Sequence, residues 1–383
     1  MASWSLAGDE SLSQLDEYLL QQILSQSLEA VEHRRRSVVD IAKNSVHIRV
    51  VICLIYAVIF VLGILGNSLV VYVILRKQEM RSITNLFLIN LAISDILMTL
   101  LATPFTPAIV FLEEWSFHLV LCKLLPMVMA VTVYVSTLTS TAIAMERCIV
   151  TVYRFQPKLP NFTYFLGTVV TWVASAVFSC PLAIYQDISF NEKTNTSSCQ
   201  ENWPHPTTRA VFTVTSFVLQ FIVPCIIITA CYTRIGLVLR NRANRKIGIK
   251  SREKEELEMR RIRRAVKMLI AMVVIFVVCW IPLNCLWMVT DLGTNSQAVQ
   301  SFAGSGYFTL VFFVCHSLAM SSAVYNPFLY TWLNESFRNE FYQVLPCLRS
   351  LRAHHNATTS CSSPKHRRRP QKEVLYIETL SHV

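Results

Sequence analysis

Charge is what this sequence has least of for its size. Only 15% of its 383 residues are Asp, Glu, Lys or Arg, whereas 53% are hydrophobic. A water-soluble globule of this length needs more polar surface than that, so a soluble fold is excluded. The first 46 residues contain no apolar core of signal-peptide type, which leaves the first apolar run to act as an uncleaved insertion signal. No segment repeats another at a fixed period, and no inverted pair of interrupted helices marks a secondary transporter. The net charge of +11 gathers in loops between apolar runs, so it is not a nucleic-acid footprint.

What the sequence has is seven long apolar runs, near 47–76, 83–112, 119–153, 161–185, 208–242, 257–291 and 302–333. Each approaches the roughly 20 residues that an α-helix needs to cross a hydrocarbon core about 30 Å thick. The expected fold class is an all-α membrane protein, a seven-transmembrane helix bundle over 47–333. The connection after the fifth run carries twelve Lys and Arg between Arg240 and Lys267, and the first connection carries Arg76, Lys77 and Arg81. Basic loops stay in the cytoplasm, so residues 1–46 are expected to form an extracellular tail on a plasma-membrane protein, although His33-Arg34-Arg35-Arg36 within that tail opposes the rule. The opposite loops hold Glu113, Glu114, Asp187, Glu192 and Glu201 and make an acidic outer vestibule.

After the seventh run, Phe337, Phe341 and Leu345 recur every four residues, which predicts a short amphipathic eighth helix within 334–347, lying on membrane lipid. Cys347 follows as a juxtamembrane candidate for palmitoylation, and 348–383 reads as a disordered cytoplasmic tail. Most of the 12 cysteines sit singly in apolar runs and behave as small hydrophobes. Cys122 and Cys199 both fall on the oxidising face, and a bridge between them is the economical reading. Cys122 and Arg147 are 25 residues apart, and at about 1.5 Å per residue that helix spans roughly 37 Å, from outer loop to cytoplasmic edge. There Glu146 can hold the guanidinium of Arg147 in a switch whose partner changes; an interfacial Arg reaching for water fits the position equally.

The motifs then fall in order: Gly66-Asn67, Leu91 with Asp95, Glu146-Arg147-Cys148, Trp172, Pro224 with Tyr232, Cys279-Trp280-Ile281-Pro282, and Asn326-Pro327-Phe328-Leu329-Tyr330. Together they resemble the rhodopsin-like receptor family from the first helix to the eighth. The resemblance implies a receptor rather than an enzyme, coupling a ligand outside to a heterotrimeric G protein inside. It assigns the activation switch to Glu146, Arg147, Tyr232, Phe276, Trp280, Pro282, Asn326, Pro327 and Tyr330, with the sixth helix swinging about Pro282. It also implies a hydrated cavity at Asp95, with Asn67, Ser136, Ser322 and Asn326, holding an allosteric sodium ion and no other cofactor. A protonated Asp95 in a plain helix contact is the alternative. Two departures stand out: Cys148 replaces the usual Tyr, and Ile262 stands where many members place an acid that locks Arg147. A loose resting lock is expected.

Within the family, amine receptors carry an acid in the outer third helix, but this chain has Met129 there and no acid between Cys122 and Met145. Opsins need a Lys in the seventh helix, and none lies between Ser301 and Trp332. Met80-Arg81-Ser82-Ile83-Thr84-Asn85 and the stretch Thr132 to Thr139 are similar to the branch of neuropeptide Y, short neuropeptide F and prolactin-releasing peptide receptors. That resemblance implies an amidated peptide ligand bound by Thr106, Gln220, Trp287, Asp291 and His316, with Asp291 pairing an Arg in an Arg-Phe or Arg-Tyr amide terminus. An ordinary solvated helix-end acid is the alternative for Asp291. Met129 and Trp287 replace polar residues of the neuropeptide Y receptors, which favours Arg-Phe-amide peptides. Asn195-Thr196-Ser197 is a glycosylation sequon on the outer face, whereas those at Asn161, Asn334 and Asn356 lie on the wrong side. Thr358, Thr359, Ser360, Ser362 and Ser363 form a phosphorylation cluster suited to arrestin, and Ser381-His382-Val383 matches a PDZ ligand. An unrelated peptide ligand, a channel or transporter, and a silent scaffold are the competing readings.

Overall fold

The computed structural model describes residues 22, 45–78, 81–112, 114–153, 161–192, 195–243, 249–333 and 335–344. Among them are seven helices long and apolar enough to cross a membrane. Hydrocarbon offers no partner to a peptide N–H or C=O, so each apolar run must close its hydrogen bonds within itself, as a helix does. The first four helices run Val46–Arg76, Ile83–Leu112, Leu119–Val152 and Asn161–Tyr185. The fifth begins at Pro206, where a first-turn proline loses no helical bond, and continues to Ala243. The sixth spans Ile249–Leu292, beginning eight residues before the expected start at 257.

The seventh helix corrects the sequence reading, because it is Gly306–Leu333 and does not begin at 302. Residues Gln297–Ala303 form a separate short helix. Ser305 ends it by donating its N–H to Phe302 O at 3.0 Å, and its Oγ then accepts from Phe308 N at 3.4 Å to start the next. A second departure lies in the fifth helix, where Val218–Ile222 forms one π-helical turn directly before Pro224. Pro224 has no N–H to give, and its ring crowds the carbonyl four residues back, so the backbone widens by one residue there.

Apolar side chains face outward as well as inward. Val50, Leu54, Val58 and Leu65 of the first helix are exposed, as suits a lipid-facing surface. Inside, a cytoplasmic core joins Val73, Leu88, Ile143, Met272, Tyr330 and Phe337. A second core near mid-helix joins Met98, Val133, Phe221, Trp280, Leu283 and Met320. The first and seventh helices approach so closely that a Cβ on Gly66 would lie 3.0 Å from Pro327 Cγ. Pro327 leaves the carbonyl of Ala323 without its helical donor, and the Asn67 amide supplies one at 2.9 Å.

On the outer side an antiparallel hairpin, Gln186–Asn191 paired with Thr196–Glu201, roofs the bundle. It is fixed by the Cys122–Cys199 disulfide, with Cα atoms 5.8 Å apart, and by Trp115 N donating to Ser197 O at 2.7 Å. Asn195 turns the hairpin with φ 54, a conformation Asn tolerates, and is exposed. On the inner side the eighth helix is Glu335–Val344, and Phe337 and Phe341 are buried against the bundle rather than laid on lipid. Lys77 ties it down through Glu340 at 3.0 Å. Cys347, Leu345, the phosphorylation cluster and the carboxy terminus lie outside the described residues.

Candidate functional site

All five side chains proposed from sequence for ligand binding line one outer cavity of about 410 Å³. Thr106 comes from the second helix, Gln220 from the fifth, Trp287 and Asp291 from the sixth, and His316 from the seventh. Met129 lines the apolar third-helix wall. The π-helical turn carries Gln220, buried in an apolar wall with amide donors and acceptors available to a ligand. His316 is held at both ring nitrogens, by Tyr56 OH at 2.8 Å and by Thr106 Oγ1 at 3.4 Å. Its ring also lies 5.3 Å from Phe312. It is therefore a fixed wall with its polar capacity already engaged.

Asp291 is not the solvated helix-end acid of the alternative reading, being only 6% exposed. Thr213 Oγ1 donates to its Oδ2 at 2.6 Å, and Thr290 Oγ1 to its Oδ1 at 3.4 Å. Arg209 of the fifth helix places Nε 3.0 Å from Asp291 Oδ1 and 3.4 Å from Glu201 Oε2. Glu201 also accepts from Trp203 Nε1 at 2.7 Å, and Trp203 stacks between Tyr185 and Phe212 with ring centres 4.4 and 5.2 Å away. The outer end of the cavity is therefore a cluster of two carboxylates around one guanidinium.

Trp280 forms the cavity floor, and aromatic contacts lead inward from it: Phe276 lies 5.8 Å from Trp280 and 5.8 Å from Phe221. Trp280 Nε1 also donates to Ser322 Oγ at 3.1 Å. Asp95, 3% exposed, accepts from Asn326 Nδ2 at 2.7 Å and from Ser136 Oγ at 3.4 Å. Ser136 is shared with Ser94 at 2.9 Å. Asn67 belongs to this region, but its nitrogen serves Gly63 O and Ala323 O, and its Oδ1 is buried without a partner.

At the cytoplasmic end Arg147 Nε lies 3.6 Å from Glu146 Oε2, which also accepts from Thr84 Oγ1 at 2.8 Å. Tyr232 packs on the cytoplasmic core, and Tyr330 lies 5.8 Å from Phe337 with its hydroxyl buried and unpartnered. Arg242 donates to Thr151 O at 2.7 Å and joins the fifth helix to the third.

Residues 66–330 match the family described as 7 transmembrane receptor (rhodopsin family). The chain belongs to that receptor family. The human neuropeptide Y receptor type 2 is 33% identical over 317 residues, covering 81% of this chain and 80% of the relative. Those of Bos taurus and Gallus gallus are each 32% identical, over 328 and 316 residues, covering 84% and 81% of this chain and 82% and 79% of the relatives. The family is one of membrane receptors and not of enzymes.

For this rhodopsin-family receptor, the sequence reading named the acid that lines the outer cavity, Asp291, and missed the base beside it, Arg209. Arg209 breaks the pattern of few basic residues on the outer face, and that exception was the available signal. Its partner could not be read, because Arg209 and Asp291 are 82 positions apart and meet only through helix packing. Thr84, Thr213 and Tyr56 were missed for the same reason: each acts across a helix seam.

Proposed function

We propose that this receptor binds an amidated neuropeptide ending in Arg-Phe or Arg-Tyr and passes that binding to a heterotrimeric G protein. The observation that carries the reading is a buried carboxylate, Asp291, in the same cavity as Gln220. A guanidinium matches a carboxylate with two parallel hydrogen bonds, and a terminal amide matches Gln220 in both donor and acceptor. The relatives are named for a neuropeptide, in keeping with this assignment. Thr106, Trp287 and His316 shape the rest of the pocket. Ligand contact at Trp280 shifts the stacked Phe276, and the sixth helix moves about Pro282, opening a cleft beside Arg147 toward which Tyr232 and Tyr330 swing. Glu146 is the resting partner of Arg147, and Asn326 and Pro327 form the seventh-helix part of the switch.

Asp95 with Ser136, Ser322 and Asn326 is the proposed sodium site. A buried carboxylate paired only with neutral groups among the described residues suits a cation, since leaving it uncompensated is costly. Glycosylation at the exposed Asn195, palmitoylation at Cys347, arrestin at the phosphorylated tail and a PDZ protein at Val383 complete the proposal.

The test is a G-protein activation screen of cells expressing this chain against amidated Arg-Phe and Arg-Tyr peptides. One or more should activate, and Asp291→Ala should weaken that peptide by about 30-fold, since truncating one partner of a buried charge pair costs ~2 kcal/mol or more. Silence toward every such peptide at normal surface expression sinks the assignment. Activation only by peptides with acidic termini favours an unrelated peptide family, whose carboxylate would pair with the half-exposed Arg209.

A further inference from the structure

The acidic end of the cavity already holds a cation, and that cation is the receptor's own. Arg209 and Thr213 stand one turn apart on the fifth helix and both reach across to Asp291 on the sixth. Arg209 Nε is 3.0 Å from Asp291 Oδ1 yet makes no directional hydrogen bond there, so the pairing is close but poorly aligned. The Arg209 side chain is 34% exposed and lines the cavity, so an incoming group can reach it. Glu201 stands 3.4 Å away, itself anchored by Trp203.

We propose that Arg209 is an internal stand-in for the ligand's cation, filling Asp291 in the ligand-free receptor and moving onto Glu201 when a ligand guanidinium takes its place. The exchange leaves no buried carboxylate without a counter-charge at either stage. Two carboxylates against one guanidinium leave the resting cluster with one formal negative charge, which draws a cationic ligand in. After the exchange two guanidiniums face two carboxylates, and the cluster is neutral. A neutral ligand side chain cannot displace Arg209, because it would leave Asp291 desolvated and unpaired. Arg209 thus lowers the apparent affinity for an Arg ligand by the fraction of receptors in which Asp291 is filled, and leaves a neutral ligand, which binds with Arg209 in place, untouched. The exchange also releases the tie between the outer ends of the fifth and sixth helices.

This inference rests on the peptide reading above, and the experiment separates the two. Binding and G-protein activation are measured on the full-length receptor with an amidated peptide ending in Arg-Phe and with its citrulline analogue, which keeps the shape of Arg without the charge. If Arg209 fills Asp291 in nine receptors of ten, Arg209→Gln should bind the Arg peptide about tenfold more tightly. The citrulline analogue should not gain, so the Arg-to-citrulline ratio rises, whereas Arg209→Lys stays near the native ratio. Glu201→Gln should weaken the Arg peptide, since the displaced Arg209 loses its second partner. Arg209→Gln that leaves the ratio unchanged, or weakens both peptides equally, overturns the inference and leaves the peptide reading standing. Asp291→Ala without effect on the Arg peptide, or silence of every receptor toward it, overturns the peptide reading and the inference together. Should Arg209→Gln fail to reach the surface, thermal unfolding of the detergent-solubilised ligand-free protein in a double-mutant cycle of Arg209→Met with Asp291→Asn decides. Coupling between the two positions supports the pairing, and additive effects overturn it.

Discussion

The two ends of the bundle repeat one arrangement with different wiring. At each, a carboxylate accepts a threonine hydroxyl, 2.6 Å from Thr213 to the buried Asp291 and 2.8 Å from Thr84 to the partly buried Glu146. At each, an arginine 34% exposed stands beside the acid, with an Nε that makes no directional hydrogen bond. The outer pair spans two helices and shares its arginine with Glu201, so it restrains the fifth helix against the sixth. The inner pair joins chain neighbours on one helix, and it reaches other helices through the hydroxyl of Thr84 and the charge of Arg147 beside Tyr232. An acid and a base on the same helix constrain each other and leave the packing of other helices free. The sixth helix is thus held by charge at its outer end, and at its inner end it presents Ile262 and the apolar contacts of Met268 and Met272. Apolar packing is non-directional and slides at lower cost than separating two charges 3.0 Å apart, which fits an inner end that moves and an outer end that reads the ligand.

This contrast can be broken in order of expected effect. Arg147→Ala should cut agonist-stimulated G-protein activation by about 100-fold while changing peptide affinity by no more than about fivefold, measured as nucleotide exchange beside radioligand binding. Equal losses in both would show that the two ends are not separable. Ile262→Glu should supply an acid partner for Arg147 and lower ligand-free activity about two- to fivefold, in line with the ~1 kcal/mol of a half-exposed ion pair. Unchanged basal signalling in a second-messenger assay would show that the resting inner end is not governed by Arg147. Thr213→Val and Thr84→Val should have the smallest effects, about two- to threefold, near the ~0.5 kcal/mol lower end of a hydrogen bond's net contribution, because each acceptor keeps its arginine. The first should appear as reduced peptide potency and the second as raised basal activity. A swap of those two phenotypes would refute the assignment of reading to the outer end and switching to the inner one.

Much of this arrangement was legible in advance. Runs of about 30 residues such as Ile83–Leu112 read directly as spans, because hydrocarbon accepts little else. The breaks were less legible. The seventh run looked continuous from 302, and only the chain reversal at Gly304, Ser305 and Gly306 separates the short Gln297–Ala303 helix from the span. The π-helical turn at Val218–Ile222 was not readable either, since Pro224 alone fits a plain kink as well as a widened turn. Among the cavity residues, Gln220 was visible as a polar side chain in an apolar run, whereas Asp291 was named through the resemblance, since a helix-end acid is otherwise expected in solvent. The eighth helix was found by its period, but its partner was misjudged: Phe337 and Phe341 meet protein, and a fourfold spacing does not say what covers it.

By itself the sequence determined the number of spans, their orientation and the disulfide, each from local composition or one-dimensional order: apolar length, the placement of Lys and Arg, and two cysteines on the oxidising face. Asp291 was named only through the resemblance to peptide receptors. Tertiary structure alone decided what each polar side chain faces. Arg209 at Asp291, Asn67 at the carbonyl freed by Pro327, and Tyr56 at His316 are pairings across 82, 256 and 260 positions. Helix rotation and depth set such pairings, and both arise from the packing of the whole bundle. A periodic sequence specifies which face of a helix is apolar, and leaves the neighbour it meets to the fold.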